Sequence, residues 1–216
     1  MNKPFYFILL LVFASNALFA QKTQQFNLSQ LLESNKLVSD KSVSIADLTE
    51  GNYHGISFKN GLLWLKDIRF ANGTIEADIK GRDVLQQSFL GIAFHGVDTS
   101  HFDLVYIRPF NFQSADTLRK KHAIQYISAP DYPWERLRAE HPLVYENPVA
   151  PPLSPIDWVH ISIVVQDGIV SVYLNHAAVP SLKIKKLNDQ NDGLLGVWAF
   201  GQEQADFANL IIKKKN

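Results

Sequence analysis

The chain contains no cysteine. That absence excludes a disulfide framework and a lipid-anchored lipoprotein, whose acylated residue is a cysteine. Charge of one sign is also missing. Lys and Arg number 21 and Asp and Glu number 21, so no net field is available to draw in nucleic acid or an anionic membrane. Neither Gly-x-Ser-x-Gly nor Gly-Lys-Ser occurs, which removes the nucleophile elbow and the phosphate loop. The seven histidines are scattered, and no pair has the spacing of a structural zinc motif. There is no internal repeat and no low-complexity linker. Helical periodicity is scarce, surfacing weakly in "NLSQLLESN" and "WERLRAE".

One long apolar run is present, at the N-terminus. Lys3 supplies a positive start, Phe5 to Phe13 an apolar stretch, and small residues lead to Ala20-Gln21. This is the pattern of a cleavable signal peptide, and the stretch stops short of the roughly 20 residues a spanning helix needs. The expectation is a signal peptide at 1–20, with Ala17 as the other cleavage site. A single mature domain, 21–216, would then be exported to the periplasm or the cell exterior, with no stable membrane insertion after cleavage. The Lys213-Lys214-Lys215 run reads as a solvated chain end.

Most of what remains alternates. Val159, Ile161, Ile163 and Val165 recur at period two, as do Val170, Val172 and Leu174. Asp167-Gly168 between them suits a type I′ hairpin, whose two central residues need positive φ. Asn72-Gly73 marks a second turn, after which Ile75, Ala77 and Ile79 should face inward and Glu76, Asp78 and Lys80 outward. "SFLGIAFHG", "HFDLVYIRPF", "HAIQYIS", "GLLGVWAF" and "DFANLIIKK" complete a series of short strands. The fold expected is all-β, a two-sheet antiparallel sandwich. Leu63, Trp64, Phe94, Phe102, Trp158, Trp198 and Phe207 are expected to supply much of its aromatic core.

"FANGTIEADIKG", "FLGIAFHG", "FDLVYIRPFNF", "HAIQYIS", "DWVHISIVV", "GLLGVWAF" and "ADFANLIIKK" together resemble the concanavalin A-like, laminin-G-type jelly roll. The likeness runs from about Gly51 to Lys214, and is strongest to an exported bacterial branch related to 3-keto-disaccharide hydrolase and glycoside-hydrolase-like domains. It implies a jelly roll and a carbohydrate partner, oligo- or polysaccharide; no cofactor is expected to be required, and the balanced charge leaves no nucleic-acid partner expected. Laminarinase-type relatives of that fold carry Glu-x-Asp-x-x-Glu. Here Glu76-Ala77-Asp78-Ile79-Lys80-Gly81 begins the pattern and ends in glycine, so the second carboxylate that glycosidase chemistry uses is missing. Asp98, His101 and Asp103 could hold a structural calcium at a strand end, though exposed turn residues explain them equally.

The segment from Arg119 to Asn147 departs from the alternation. It gathers polar-tipped aromatics, cations and prolines in what reads as one long connection. Sugar sites pair an aromatic platform with planar donors and acceptors. Tyr126, Tyr132, Trp134 and Tyr145 could give platforms. Arg108, Asn111, Arg119, His122, Gln125, Arg138 and Glu146 could give the polar fork, and Tyr106 should share a strand face with Arg108. The reading expected is a rim over a saccharide-binding face spanning residues 106–147. The alternatives are a hydrolase or lyase using His122 and Glu146, and a non-catalytic protein–protein adhesive domain.

Overall fold

A computed structural model of the chain describes residues 22–39 and 41–214. The expected signal peptide lies outside them. In chain order the elements begin with β1 (Lys22–Phe26), α1 (Leu28–Glu33), β2 (Leu37–Val38), β3 (Ala46–Glu50), β4 (Tyr53–Phe58) and β5 (Gly61–Phe70). Next come β6 (Gly73–Lys80), β7 (Phe89–Gly96), β8 (Phe102–Ile107), α2 (Thr117–Lys121), β9 (Ile124–Ala129), α3 (Trp134–Glu140) and β10 (Glu146–Asn147). The chain closes with β11 (Val159–Gln166), β12 (Ile169–Leu174), β13 (Leu182–Lys185), β14 (Gly193–Phe200) and β15 (Ala205–Lys214).

These strands form two antiparallel sheets packed face to face. The eight-stranded sheet runs β13-β12-β11-β6-β15-β4-β3, with β1 added along β15. The seven-stranded sheet runs β10-β9-β8-β7-β14-β5-β2. Among the described residues no helix is long and apolar enough to cross a membrane.

Alternation builds the first sheet as expected. Val159, Ile161, Ile163 and Val165 are buried, as are Ile75, Ala77 and Ile79 on the paired strand β6. Each such large side chain contributes about 1.5–3 kcal/mol on leaving water. Asp167 and Gly168 have φ of 52° and 75°, and Gln166 pairs with Ile169 across them, as a tight primed hairpin requires. The Asn72-Gly73 turn does something different. It carries the chain from β5 in one sheet to β6 in the other.

The second sheet is apolar on both faces. Leu63, Leu65, Ile92, Phe94, Val105 and Val197 point into the shared core. Their neighbours in sequence necessarily point the other way. Leu62, Trp64, Ala93, Leu104 and Tyr106 therefore form a separate cluster, with Phe89, Phe102 and Trp198 against it. This corrects the expected core. Leu63, Phe94 and Phe207 belong to it, whereas Trp64, Phe102 and Trp198 lie on the outer face of the seven-stranded sheet. Trp158 also stands outside the core, half-buried and stacked on Tyr53 at 4.2 Å.

One polar clamp ties the sheets together. Lys186, just past β13, donates from Nζ to Asp103 Oδ2 on β8 at 2.7 Å. Asp103 Oδ1 accepts from Tyr126 Oη at 2.6 Å and from Asn188 Nδ2 at 2.7 Å. Burial pushes the Asp103 carboxyl up, but His95, Lys186 and Tyr126 together outweigh it and hold it below the usual range.

Candidate functional site

Directly opposed residues of an antiparallel sheet share a face. One register row crosses the seven-stranded sheet as Glu146, Gln125, Tyr106, Gly91, Trp198 and Leu62. Glycine in the middle of that row lets the rings on either side lean together, and the Tyr106 and Trp198 centroids lie 5.3 Å apart. A Cβ on Gly91 would come 2.7 Å from Tyr106 Cβ and 2.0 Å from the Val105 carbonyl oxygen. Beside this row Phe200 opposes Phe89, with centroids 5.8 Å apart. Phe89 in turn meets Phe110 edge-on at 5.3 Å. The result is an aromatic floor that faces away from the core.

A polar wall rises at one end of this floor. Arg108 leaves β8 on the same side as Tyr106, and Pro109 turns the chain into a short 3-10 turn, Pro109–Asn111. Arg108 Nη2 donates to Tyr106 Oη at 2.6 Å and to Gln125 Oε1 at 2.5 Å, and Nη1 donates to the His122 carbonyl at 2.8 Å. Asp116 caps α2 by accepting from the Leu118 and Arg119 amides at 2.8 and 3.2 Å. Arg119 then donates to Asn111 Oδ1 and to the Phe110 carbonyl, at 3.3 and 3.2 Å. From α3, Arg138 forks onto both oxygens of Glu146 at 3.1 and 2.7 Å, while its guanidinium lies 4.8 Å over the Trp134 ring.

Floor and wall enclose a cavity of about 560 Å³. A second hollow of about 410 Å³ shares Trp198 and Phe200 with the first and continues toward Phe102 and Leu62. The two make a groove divided by a ridge of two rings. Trp198 and Phe200 are nearly parallel, at 10°, and the Phe200 ring is 58% exposed. Such a surface suits flat, partly apolar ligands edged with hydroxyl groups.

Electrostatics sharpen the picture. Burial pushes the Tyr106 hydroxyl up to about 12, so it remains a donor and acceptor at ordinary pH. Burial also pulls the His122 imidazole below its usual value, ahead of the opposing pull of Glu146. His122 is thus a neutral ring near pH 7. Its Nδ1 lies 2.7 Å from Glu146 Oε2, but without the alignment of a hydrogen bond.

Seven of the residues singled out by sequence line this cavity: Tyr106, Arg108, Asn111, Arg119, His122, Trp134 and Arg138. Two stand behind it. Gln125 is covered by Tyr106 and Arg108, and Glu146 is 2% exposed and taken up by Arg138. Two lie elsewhere, which is a correction. Tyr126 and Tyr145 belong to the core between the sheets, because Tyr126 follows Gln125 and must take the opposite face of β9. Tyr132 lies against Arg136, with its ring 4.6 Å from that guanidinium. The sequence reading missed Phe89, Phe110, Trp198 and Phe200, which supply most of the floor. Apolar residues on both faces of β7 and β14 were the signal for them.

The 106–147 segment is also more ordered than a single connection. It holds a strand, β9, with α2 before it and α3 and β10 after it. Asp98, His101 and Asp103 do not assemble into a cation site. Asp98 accepts from the Ser100 and His101 amides in an exposed turn, whereas Asp103 points inward onto Lys186. Among the described residues no group of three His, Asp or Glu is placed to hold a metal.

The acid/base role expected of Glu146 meets a similar obstacle, since the Arg138 fork occupies both its oxygens. Among the described residues lining the cavity there is no carboxylate. Glu76 and Asp78 are on the other sheet, paired with Lys213 and His160. The paired carboxylates of glycosidase chemistry are not brought together here.

No protein-family model matches the chain, and no curated protein matches it by sequence. Solved structures do match its fold. A carbohydrate binding module, CBM66 from Bacillus subtilis, superimposes with a TM-score of 0.59 at 13% identity, covering 82% of this chain and 96% of that one. A Bacillus subtilis protein of unknown function with a galectin-like fold gives 0.56 at 11%, covering 90% and 98%. A candidate glycosyl hydrolase, so named, from Parabacteroides distasonis gives 0.53 at 14%, covering 84% and 88%. The chain has the concanavalin A-like, galectin-like jelly-roll fold. Proteins named as a carbohydrate binding module and as a glycosyl hydrolase share that fold.

Proposed function

We propose that this protein binds an oligo- or polysaccharide in the groove on the outer face of its seven-stranded sheet, and that it does so without cleaving it. One observation carries the reading. Rings from β7, β8 and β14 lie on the outer face of the sheet instead of in the core, with Phe200 exposed and Phe89 and Trp198 part-buried, and planar polar side chains border them at one end. Part of that face packs into a buried cluster of its own, but Leu85, Trp134 and Phe200 stay exposed around the cavity, and exposed apolar patches of this kind mark binding surfaces. The two hollows sharing the Trp198–Phe200 ridge favour a ligand of several units over a single sugar. The sealed Glu146 and the carboxylate-free lining favour binding over hydrolysis. The N-terminal pattern at 1–20 adds that the site works outside the cytoplasm.

The test is a glycan array on the mature protein, followed by calorimetry on the best ligand and a reducing-sugar release screen. Trp134 is 40% exposed and Phe200 58%. Trp134→Ala and Phe200→Ala are each expected to cost roughly 2 kcal/mol of binding if the rings anchor the sugar. Surface positions of this kind shift stability by about 0.5 kcal/mol or less, so the melting temperature should hold. Unchanged affinity in both variants would remove the groove from the binding reaction. Sugar release from the best ligand would replace the binding module with an enzyme.

A further inference from the structure

The polar wall is unbalanced in charge. Three guanidinium groups, Arg108, Arg119 and Arg138, border the cavity, and the described lining residues include no carboxylate. Glu146 behind the wall is forked by Arg138, lies against His122 and acts on Arg108 without touching it, which leaves one carboxylate for three guanidinium groups. Asp116, capping α2, and Glu135, on α3, are exposed, and neither forms an ion pair with the three arginines among the described residues. Lys120 and Lys121, exposed on α2, add to the positive sign.

Arg108 is the most telling of the three. It is 5% exposed, yet every hydrogen-bond partner it has is neutral: a phenol, an amide oxygen and a main-chain carbonyl. Arg119 is held in the same way, by an amide oxygen and a carbonyl. Burying a charge with no counter-charge in direct contact is costly. An apolar or neutral side chain would fill that space at lower cost if packing were the only demand. Spare donors also remain. A guanidinium carries five N–H groups, of which Arg108 uses three, Arg119 two and Arg138 two. Their planar forks match an oxyanion with two oxygens in one plane.

We infer that the saccharide bound here carries an anionic group, and that this group docks at the arginine wall while the neutral part of the chain lies over Trp198 and Phe200. The inference rests on the saccharide reading above and narrows it to acidic glycans. A uronate carboxylate supplies the planar oxyanion, and a sulfate ester would offer the same charge.

The experiment uses matched pairs in calorimetry with the mature protein. Oligogalacturonate, oligomannuronate and a glucuronate-containing oligosaccharide are each compared with the carboxyl-reduced form of the same chain. A sulfated galactan oligosaccharide is compared with its desulfated form. The anionic member of at least one pair should bind about tenfold more tightly, as expected for charge-assisted hydrogen bonds, and the preference should fall as salt is raised. Arg119→Gln should shrink that preference to about threefold or less, and Arg119→Lys, which keeps charge but loses the fork, should restore only part of it. A preference confined to the sulfated pair upholds the anionic assignment and identifies sulfate as its source. Equal or weaker binding of the anionic member in every pair, with the neutral forms binding, overturns the inference and leaves the saccharide reading standing. If no member of any pair binds and the array is blank, both fall together.

Discussion

Gly91 shows how a single residue shapes the groove. It is the gap in a row of large side chains, and the rings of Tyr106 and Trp198 close over it. A side chain there would drive into the Val105 carbonyl and into Tyr106 itself. Gly91→Val is therefore expected to destabilise the domain by about 1–3 kcal/mol through overpacking and to displace the floor. Chemical denaturation with Trp fluorescence would measure the first effect and ligand titration the second. A variant with wild-type stability and affinity would show that the row tolerates a side chain. Glycine within a strand is a legible sign of close approach, but the sequence does not say what approaches. The partners, Tyr106 and Trp198, are 15 and 107 positions away in the chain, and only register across three strands brings them together.

At the scale of elements, strands were legible and the wall was not. Period-two alternation exposes β6, β11 and β12, because most of their outer residues are polar. It fails in β7 and β14, where both faces are apolar, so Trp198 reads as core while it actually lies on the groove floor. Helix α2 is too short to generate a helical period. Its visible mark is Asp116, which caps it ahead of Leu118 and Arg119. That cap positions one guanidinium of the wall. Asp116→Ala should cost about 0.5–2 kcal/mol of helix stability, and should loosen Arg119 against Asn111 and Phe110. We expect the preference for an anionic ligand to drop while the melting temperature moves little, since α2 buries none of its residues. Paired titrations and a thermal melt on this variant would show it. A large loss of thermal stability with an intact preference would make α2 a structural strut.

Across the whole molecule, the sandwich is held by a broad apolar core and by one buried ionic clamp between the sheets. Lys186 reaches from beyond β13 to Asp103 on β8, and both side chains are almost fully enclosed. The sequence left Asp103 open as a calcium ligand or an exposed turn residue, but β8 parity turns it inward with Val105 and Ile107. The folded protein holds this carboxyl below its ordinary value. Its contribution to stability is therefore complete above the unfolded value, about 3.9, and is lost as pH falls through the lower folded value. Asp78, half-buried beside His160 and Asn209, is lowered as well and acts in the same direction. Asp103→Asn should cost about 3–5 kcal/mol at neutral pH, because Lys186 would keep its charge without its partner. Its loss of stability on acidification should also be shallower than that of the wild type, with Asp78 accounting for part of what remains. Lys186→Met should be destabilised at neutral pH for the mirror-image reason, with Asp103 left buried and unpaired. Urea denaturation between pH 7 and pH 3 on the three proteins would measure both effects. An Asp103→Asn protein with the same acid slope as wild type would mean that this clamp does not govern the acid limit of the fold.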